Sequence, residues 1–412
     1  MRRTPSVHLL AALDTKGIEA AFVRDVLRQC GVACTVVDCG CLASPAIEAD
    51  IPRDAVFAAA GESVETLRTA GDRGTAVAAA AAGAARVIAD RHAAGLVAGV
   101  FGLGGSAGTT IATAAMRALP IGLPKLMVST LASGQVRQYV GDKDIAMVNS
   151  IVDIAGVNRI SRPILANAAL AMAGMVTLSH NPPTDGPPYD KPLVAATMFG
   201  VTTPCVQRAR EVLEMAGYEV LVFHATGNGG RAMEALVAER LVAGVLDITT
   251  TELADELVGG MLSAGPDRLT AAGQRGVPQV VSVGALDMVN FLGLATVPER
   301  FRSRLLYRHN ANVTLMRTTV EENVQLGAEI GRKLATAQGP TAVLLPQRGV
   351  SALDREGQPF DDPAARQALF SALRSAAGSV PVEELDLHIN DAAFADAAAA
   401  RLLALMKSPV AR

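Results

Sequence analysis

The stretch that most constrains the fold is Gly102–Thr110, which reads Gly-Leu-Gly-Gly-Ser-Ala-Gly-Thr-Thr. It follows the apolar run Leu96–Phe101 and precedes a helical pattern from Ile111 to Leu119. A strand, a glycine-rich bend and a helix in this order form a βα unit, and the free N–H groups at such a helix start attract anions. The hydroxyls of Ser106 and Thr109 add donors. We therefore predict a phosphate-binding loop, with a purely structural turn as the alternative.

The rest of the chain repeats this alternation of short apolar runs with amphipathic helical patterns, which indicates an α/β fold with doubly wound parallel sheets. A length of 412 residues exceeds one ordinary core. The segment His180–Pro192 contains Asn-Pro-Pro, Gly-Pro-Pro and Lys-Pro, a proline density that interrupts helices and strands. We predict an N-terminal Rossmann-like domain over 1–180, a linker over 181–192 and a C-terminal Rossmann-like domain over 193–412.

Matching segments in the two halves predict an internal duplication. Leu-Val-Ala-Gly-Val occurs at 96–100 and again at 241–245, and Gly-Leu-Pro at 122–124 corresponds to Gly-Val-Pro at 276–278. Chance similarity between short βα units is the alternative. Because parallel sheets bind ligands outside the carboxyl ends of their strands, we expect a site in a cleft between the two domains.

Composition excludes several classes of function. The net charge of −3 and the presence of only six lysines argue against a nucleic-acid partner. The alanine-rich run Ala76–Ala89 is interrupted by Gly83 and Arg86 and is too short to span a bilayer. The five cysteines lack zinc-ligand spacing, and Asp14 ends the first apolar run too early for a signal peptide. We expect a reduced, cytoplasmic protein with no membrane partner.

Three predicted strand ends in the first half could surround a nucleotide. The glycine loop has the form G-x-G-x-x-A, but it does not follow the first strand, and no Gly-Lys-Ser/Thr is present, so it is neither a dinucleotide fingerprint nor a P-loop. Lys16 follows the first strand and could neutralise phosphate, or it is a solvated lysine at a helix start. The predicted cofactor-binding residues are Asp14, Thr15, Lys16, Gly17, Gly104, Gly105, Ser106, Gly108, Thr109, Ser133 and Gly134.

The second half offers four candidate catalytic residues. His224 begins His-Ala-Thr-Gly-Asn-Gly-Gly, a second glycine-rich strand end that could bind an anion, with the histidine as acid or base or only as a packing residue. Asp247 begins Asp-Ile-Thr-Thr-Thr-Glu and could hold Mg²⁺ or act as a base, while the threonines could simply cap a helix. Asp287 and His309 follow later strands. The sequence alone does not identify metal ligands.

Together these motifs resemble the Tm-one-like ATP-binding family, which comprises bacterial and fungal proteins and the N-terminal domain of a plant tobamovirus-resistance protein. The resemblance covers roughly residues 5–405. The matching segments are Ala12–Gly17, Gly102–Thr109, His224–Gly230, Asp247–Leu253, Ser263–Leu269 and Gly284–Asn290. The resemblance implies a two-domain Rossmann-like fold, ATP on the first domain and a tendency to form homodimers or larger homo-oligomers.

The residues and the resemblance lead to one expected function and one alternative. We expect ATP, with Mg²⁺, on the first domain, and a small-molecule substrate near His224, Asp247, Asp287 and His309. The most specific form of this expected function is transfer of a phosphoryl group from ATP to a small acid, or ATP-dependent activation of that acid. The alternative is a non-catalytic regulatory or interaction module in which ATP binds without turnover.

Overall fold

The computed structural model describes residues 5–180 and 191–407. Contacts divide the chain into two compact units, Met1–Gly186 and Pro187–Arg412, called here the N-terminal and C-terminal units. Of the predicted linker over 181–192, only the last two residues are among those described.

The N-terminal unit is built on a five-stranded parallel sheet. Its strands are β1 (Ser6–Ala11), β2 (Cys34–Asp38), β3 (Val97–Gly104), β4 (Lys125–Ser129) and β5 (Ala146–Asn149), in the order β2-β1-β3-β4-β5. Its helices are α1 (Leu13–Gln29), α2 (Arg53–Ala59), α3 (Val64–Ala70), α4 (Arg73–Ala93), α5 (Ser106–Arg117), α6 (Arg137–Val140) and α7 (Ser161–His180).

Helices cover both faces of this sheet, so it is buried throughout its centre. Every residue of β3 is buried, as an apolar central strand of a parallel sheet requires. On one face Leu27 of α1 and Met172 of α7 pack with Phe101. On the other, Ala84 of α4 and Ile111 of α5 complete the core. The alanine-rich run is therefore a helix packed on the sheet.

The C-terminal unit has nine described strands in two sheets. They are β6 (Leu193–Met198), β7 (Glu219–His224), β8 (Gly244–Thr249), β9 (Gln279–Gly284), β10 (Met288–Phe291), β11 (Leu306–Asn310), β12 (Val313–Arg317), β13 (Thr341–Pro346) and β14 (Val382–Leu385). Six form a parallel sheet in the order β14-β13-β9-β8-β6-β7, and three form an antiparallel sheet in the order β10-β12-β11.

The helices of the C-terminal unit flank the parallel sheet. They are α8 (Thr203–Met215), α9 (Asn228–Ala238), α10 (Glu252–Val258), α11 (Ala271–Arg275), α12 (Val320–Ala335), α13 (Pro363–Ala376) and α14 (Ala392–Lys407), with short 3₁₀ turns at Gly200–Thr202, Leu294–Thr296 and Glu299–Phe301. Helices α8 and α14 share one core cluster, and α12 and α13 share another.

The two parallel sheets have the same strand order. Counted within each unit and without the antiparallel strands, both begin 2-1-3-4-5, the flavodoxin-like order, and the larger sheet adds a sixth strand. The predicted α/β class with doubly wound parallel sheets is thus confirmed. A shared order is what duplication would produce, although the duplication itself stays a prediction. The sequence did not predict the separate antiparallel sheet.

The glycine loop is shorter than predicted because the flanking elements extend into it. Strand β3 continues through Gly104, and α5 begins at Ser106 rather than near Ile111. Only Gly105, with φ −81° and ψ −154°, separates them. Among the described helices, none has the combination of length and apolarity needed to cross a bilayer.

Candidate functional site

The N-terminal unit has a cavity of about 330 Å³ where ligands of this fold usually bind, at the switch point between β1 and β3. We call it the glycine-loop cavity. Residues from the ends of three strands and from α4 and α5 line it: Ala12, Asp14, Thr15, Lys16, Cys39–Leu42, Arg73, Ala76, Val77, Ala80, Leu103–Gly108, Ile111 and Asp153. Its volume lies at the lower end of the range for small-molecule sites, roughly 300–1,000 Å³.

The N-terminus of α5 faces this cavity with unpaired backbone donors. The first hydrogen bond of the helix runs from Thr109 N to Gly105 O at 2.8 Å, and none of the described side chains caps the helix at Gly105. Within the described residues, the N–H groups of Ser106, Ala107 and Gly108 have no hydrogen-bond partner. All three residues line the cavity. A helix of 12 residues with free amides in a cavity is a suitable anion site.

The glycines of the loop serve close packing between β3 and α5. A Cβ on Gly104 would lie 3.0 Å from the Cα of Gly108, and a Cβ on Gly108 would lie 3.0 Å from the Leu103 carbonyl oxygen. A Cβ on Gly102 would lie 2.4 Å from the Ala112 Cβ. Side chains here would push the helix away from the strand, so these glycines place the helix N-terminus at the strand end.

Asp14 acts at the edge of the cavity by holding a neighbouring loop. Its side chain is 1 % exposed, and its Oδ2 accepts hydrogen bonds from Leu42 N at 2.7 Å and Ala43 N at 3.3 Å. These residues follow β2 and include part of the cavity wall. Asp14 therefore positions the wall, with its carboxylate engaged by the protein itself.

A buried ion pair, which sequence reasoning missed, joins the loops after β1 and β2. Asp38 Oδ1 accepts from Leu13 N at 3.0 Å and Gly40 N at 2.9 Å, and Arg53 Nε donates to Asp38 Oδ2 at 2.7 Å. Arg53 is 7 % exposed, unusual for an arginine. The only sequence signal was a carboxylate at the end of a strand.

Two cations and an exposed carboxylate complete the cavity lining. Lys16 lies at a break in α1, where its φ of −128° and ψ of 17° are not helical, and its Nζ donates to the Ile154 carbonyl oxygen. Arg73, also missed in the sequence, is exposed at the first position of α4. Asp153 is exposed as well. Positive charge beside free amides favours an anionic ligand.

Four predicted cofactor-binding residues lie away from the cavity lining. Thr109 is fully buried, and its Oγ1 is hydrogen-bonded to Gly105 O at 2.8 Å and to Ser129 Oγ at 2.7 Å. Gly17 is buried where a Cβ would lie 2.9 Å from the Ala46 Cβ. Ser133 and Gly134 lie in the turn after β4. The other seven, Asp14, Thr15, Lys16, Gly104, Gly105, Ser106 and Gly108, do line it.

The second glycine-rich strand end, in the C-terminal unit, is occupied by the chain's own carboxylate. Glu252 Oε1 accepts from Gly227 N at 2.6 Å and Gly230 N at 3.1 Å, and its Oε2 accepts from Arg268 Nε at 2.7 Å. Glu252 is fully buried. The anion predicted at this loop is therefore supplied by the chain itself, whereas the amides at the start of α5 have no such partner among the described residues.

A second cavity, of about 320 Å³, brings two of the four candidate catalytic residues together. His224 at the end of β7 and His309 on β11 both line it, and both are exposed. The His224 ring lies against Phe199, with centroids 5.4 Å apart. We call this space the histidine cavity.

Asp247 and Asp287 do not line the histidine cavity. Asp247 is 1 % exposed, and its two oxygens accept from Thr197 Oγ1 and from both Nη atoms of Arg268. Asp287 is equally buried and accepts from Ser351 Oγ at 2.7 Å. Burial, followed by the nearby Asp354 carboxylate, raises the pKa of Asp287. Their placement gives both aspartates structural partners, and access for a substrate or Mg²⁺ would require those contacts to break.

Comparison with known proteins identifies the family of the chain. Residues 5–181 match the N-terminal domain and residues 191–406 the C-terminal domain of the uncharacterised protein family UPF0261. A UPF0261 protein of Clostridium tetani is 49% identical over 401 residues, covering 97% of this chain and 98% of its own length. One from Rhizobium meliloti is 49% identical over 397 residues, covering 96% and 97%.

A plant relative and one solved structure extend the comparison. The tomato ToMV resistance protein Tm-1(GCR237) is 48% identical over 309 residues, which cover 73% of this chain and 40% of the plant protein. A solved structure from Listeria monocytogenes covers 98% of this chain and 96% of its own, with 14% identity and a TM-score of 0.24, too low to indicate a common fold. The two domain matches and the close bacterial relatives show that this chain belongs to the UPF0261 family.

Proposed function

We propose that the N-terminal unit binds ATP in the glycine-loop cavity, with the phosphate tail at the first turn of α5. The observation that carries this proposal is the set of free N–H groups at Ser106, Ala107 and Gly108, which line a cavity at the switch point of a parallel sheet. Such amides, aided by the helix dipole, bind phosphate without needing a P-loop lysine.

The remaining lining fits the other parts of the nucleotide. Lys16 and Arg73 supply positive charge for the phosphates. Ala76, Val77 and Ala80 form an apolar wall on α4 against which a purine base can pack. A cavity with one polar, cationic end and one apolar wall favours a nucleotide over a free inorganic anion.

Mg²⁺ fits this site only as a companion of the nucleotide. Among the described residues no cluster of three or more potential ligands could hold a metal ion. Mg²⁺ commonly binds through substrate phosphates with one or two carboxylates and several waters. Asp153 is the exposed carboxylate of the lining, while Asp14 is already engaged. We expect the phosphates of ATP to coordinate the Mg²⁺ ion and the Asp153 carboxylate to contact it.

Phosphoryl transfer to a small acid is the finer prediction, and a binding module without turnover is its alternative. Of the four residues predicted for the acceptor, His224 and His309 are accessible, whereas Asp247 and Asp287 are buried with partners. Binding of ATP is therefore the function that the geometry supports best. The histidines are the candidates for acid–base chemistry if turnover occurs.

Calorimetric titration of the full chain with ATP, ADP, AMP and adenosine, each with and without Mg²⁺, tests the proposal. We expect affinity to fall as phosphates are removed, because the free amides bind the tail. Equal affinity for ATP and adenosine, or no binding of ATP, would overturn it. Release of ADP in the presence of a panel of small acids would support transfer. Thermal stabilisation by ATP without release would support the binding module.

A further inference from the structure

The histidine cavity differs in chemistry from the glycine-loop cavity. It lies at the carboxyl ends of β6 and β7 beside the antiparallel sheet, and none of the described lysine, arginine, aspartate or glutamate residues lines it. Its walls are mainly apolar, with Phe199, Val313 and Leu315 among them. A strongly charged ligand would lose its hydration here without gaining an ion pair, which is unfavourable.

One buried polar atom at this cavity, the side-chain oxygen of Asn290, has no partner among the described residues. Asn290 lines the cavity and is 2 % exposed. Its backbone N donates to Asp255 Oδ1 at 3.0 Å and its Nδ2 donates to Asp255 Oδ2 at 2.7 Å, so the amide orientation is fixed. Its Oδ1 has no hydrogen-bond partner in the part of the chain that the structure describes. An unpaired buried acceptor is costly. Because less than 1 Å² of this oxygen is accessible, an N–H or O–H group of a ligand reaches it once a covering side chain moves aside.

The cavity also has exposed apolar side chains. Met261 is 56 % and Leu292 is 49 % exposed, and both belong to the lining. A ligand with an apolar body would remove part of this surface from water. An apolar cavity of about 150 Å³ holds one benzene ring in another protein, so about 320 Å³ accommodates a substituted ring.

We propose that the histidine cavity binds a neutral small molecule with an apolar, ring-sized body and a hydroxyl or amide donor. The hydroxyl or amide of the ligand donates a hydrogen bond to the Asn290 side-chain oxygen. The exposed imidazoles of His224 and His309 offer further hydrogen-bonding positions in the cavity lining. This inference concerns the C-terminal unit alone and does not depend on nucleotide binding. Because charged groups are disfavoured in this lining, it assigns the cavity a neutral ligand in place of the small acid considered above.

Three probes of similar size separate the features of this ligand. Phenol has the ring and the donor, anisole keeps the ring without the donor, and benzoate replaces the donor by a charge. Binding is followed in the full chain by NMR of ¹³C-methyl methionine, because a bound ring shifts the Met261 methyl resonance. We expect anisole to bind about fivefold more weakly than phenol and benzoate to bind more weakly still.

A cavity-filling variant and a matched control locate the binding. Gly200 is exposed and lines the cavity, and a Cβ on it meets no atom within 4 Å, so the Gly200→Trp variant has room for an indole beside the cavity. Gly174 on α7 is equally open but belongs to the other unit. Since the chain has no tryptophan, the single indole of each variant reports its own surroundings by fluorescence. We expect phenol binding to be lost in Gly200→Trp and retained in Gly174→Trp.

The outcomes decide the proposal in either direction. Loss of phenol binding in Gly200→Trp, with circular dichroism unchanged, supports it; if that variant does not fold, Gly200→Leu provides the same comparison. Equal binding in both variants, tighter binding of benzoate than of phenol, or no shift at Met261 overturns it. A dimer that Gly200→Trp dissociates, in a chain that binds no phenol, overturns it in favour of a second copy as the occupant.

Discussion

Arg268 and Asp247 form a buried bidentate ion pair, with Nη1 2.5 Å from Oδ2 and Nη2 2.7 Å from Oδ1. Neither side chain is more than 1 % exposed. Arg268 also donates to Glu252 at 2.7 Å and to Glu234 at 3.3 Å. One arginine thus compensates three carboxylates that come from α9, β8 and α10. This arrangement assigns Asp247 to the framework of the unit.

Removing this cation should destabilise the C-terminal unit strongly. Arg268→Met leaves buried carboxylates without a compensating charge, for which we expect a loss of about 3–5 kcal/mol in the free energy of unfolding. Urea unfolding followed by circular dichroism measures it. Arg348→Met is the control, since Arg348 and its partner Asp386 are both exposed. The free energy of unfolding of this variant should stay close to the wild-type value. Equal stability of the two variants would contradict the structural role of the cluster.

The sequence predicted the fold class because strand and helix patterns are local. The apolar run Leu96–Phe101, for example, corresponds to β3, which begins one residue later, at Val97. Boundaries at the glycine loop were less accurate, since α5 starts at Ser106 only because Gly108 can pack against the Leu103 carbonyl. That contact belongs to tertiary structure. The antiparallel sheet was missed for a similar reason, as its pairing joins β10 to later strands.

The site was only partly predictable because sequence position does not reveal burial. Lys16 and Ser106 were placed at strand ends and do line the cavity. Thr109 has the same chemistry as Ser106 but lies three residues on along α5, where it points into the core. The partners of Asp247 and Glu252 could not be foreseen, since Arg268 comes from a distant loop.

The packing role of the glycines predicts different effects of two alanine substitutions. A Cβ on Gly102 would lie 2.4 Å from the Ala112 Cβ and 2.6 Å from the Met127 sulfur, so Gly102→Ala should cost about 1–3 kcal/mol of stability. A Cβ on Gly105 would meet only Thr130 Oγ1, at 3.7 Å. Gly105→Ala should therefore leave stability nearly unchanged. Thermal unfolding of both variants checks the prediction, and the opposite order of stability would refute it.

A negative charge introduced at the start of α5 should weaken nucleotide binding without harming the fold. Ser106→Asp places a carboxylate at the first position of α5, where the helix dipole favours it, so the unliganded protein should stay as stable as the wild type. The same carboxylate repels a phosphate at the free amides, and we expect ATP affinity to fall at least about tenfold. Calorimetric titration measures this affinity.

Ser133→Asp is the matched control for that experiment. Ser133 is also exposed in the N-terminal unit, but it does not line the glycine-loop cavity. Its charge change is identical, so ATP affinity should remain close to the wild-type value. If both variants lose ATP to the same extent, the phosphate tail does not lie at α5, and the assignment of the cavity fails.

Protonation of Asp255 predicts a specific pH dependence in the C-terminal unit. Burial raises the pKa of Asp255 to about 7, although its carboxylate accepts hydrogen bonds from Asn290 and from Leu262 N at 3.2 Å. Between about pH 4 and pH 7 the folded state therefore keeps a proton that the unfolded chain releases. The free energy of unfolding should fall as pH rises through this window and level off above it.

The variant Asp255→Asn isolates this effect because its side chain does not titrate. Altered hydrogen bonds to Asn290 shift its stability by an amount that is independent of pH, whereas the titration makes the wild type lose up to about 4 kcal/mol relative to the variant between pH 4 and pH 8. Urea unfolding at intervals across this range gives the difference. Asp267→Asn, a change at an exposed carboxylate of the same unit, should follow the wild-type curve. Parallel curves for the wild type and Asp255→Asn would show that Asp255 is ionised in the folded protein throughout, and that the support it gives Asn290 at the histidine cavity does not change with pH.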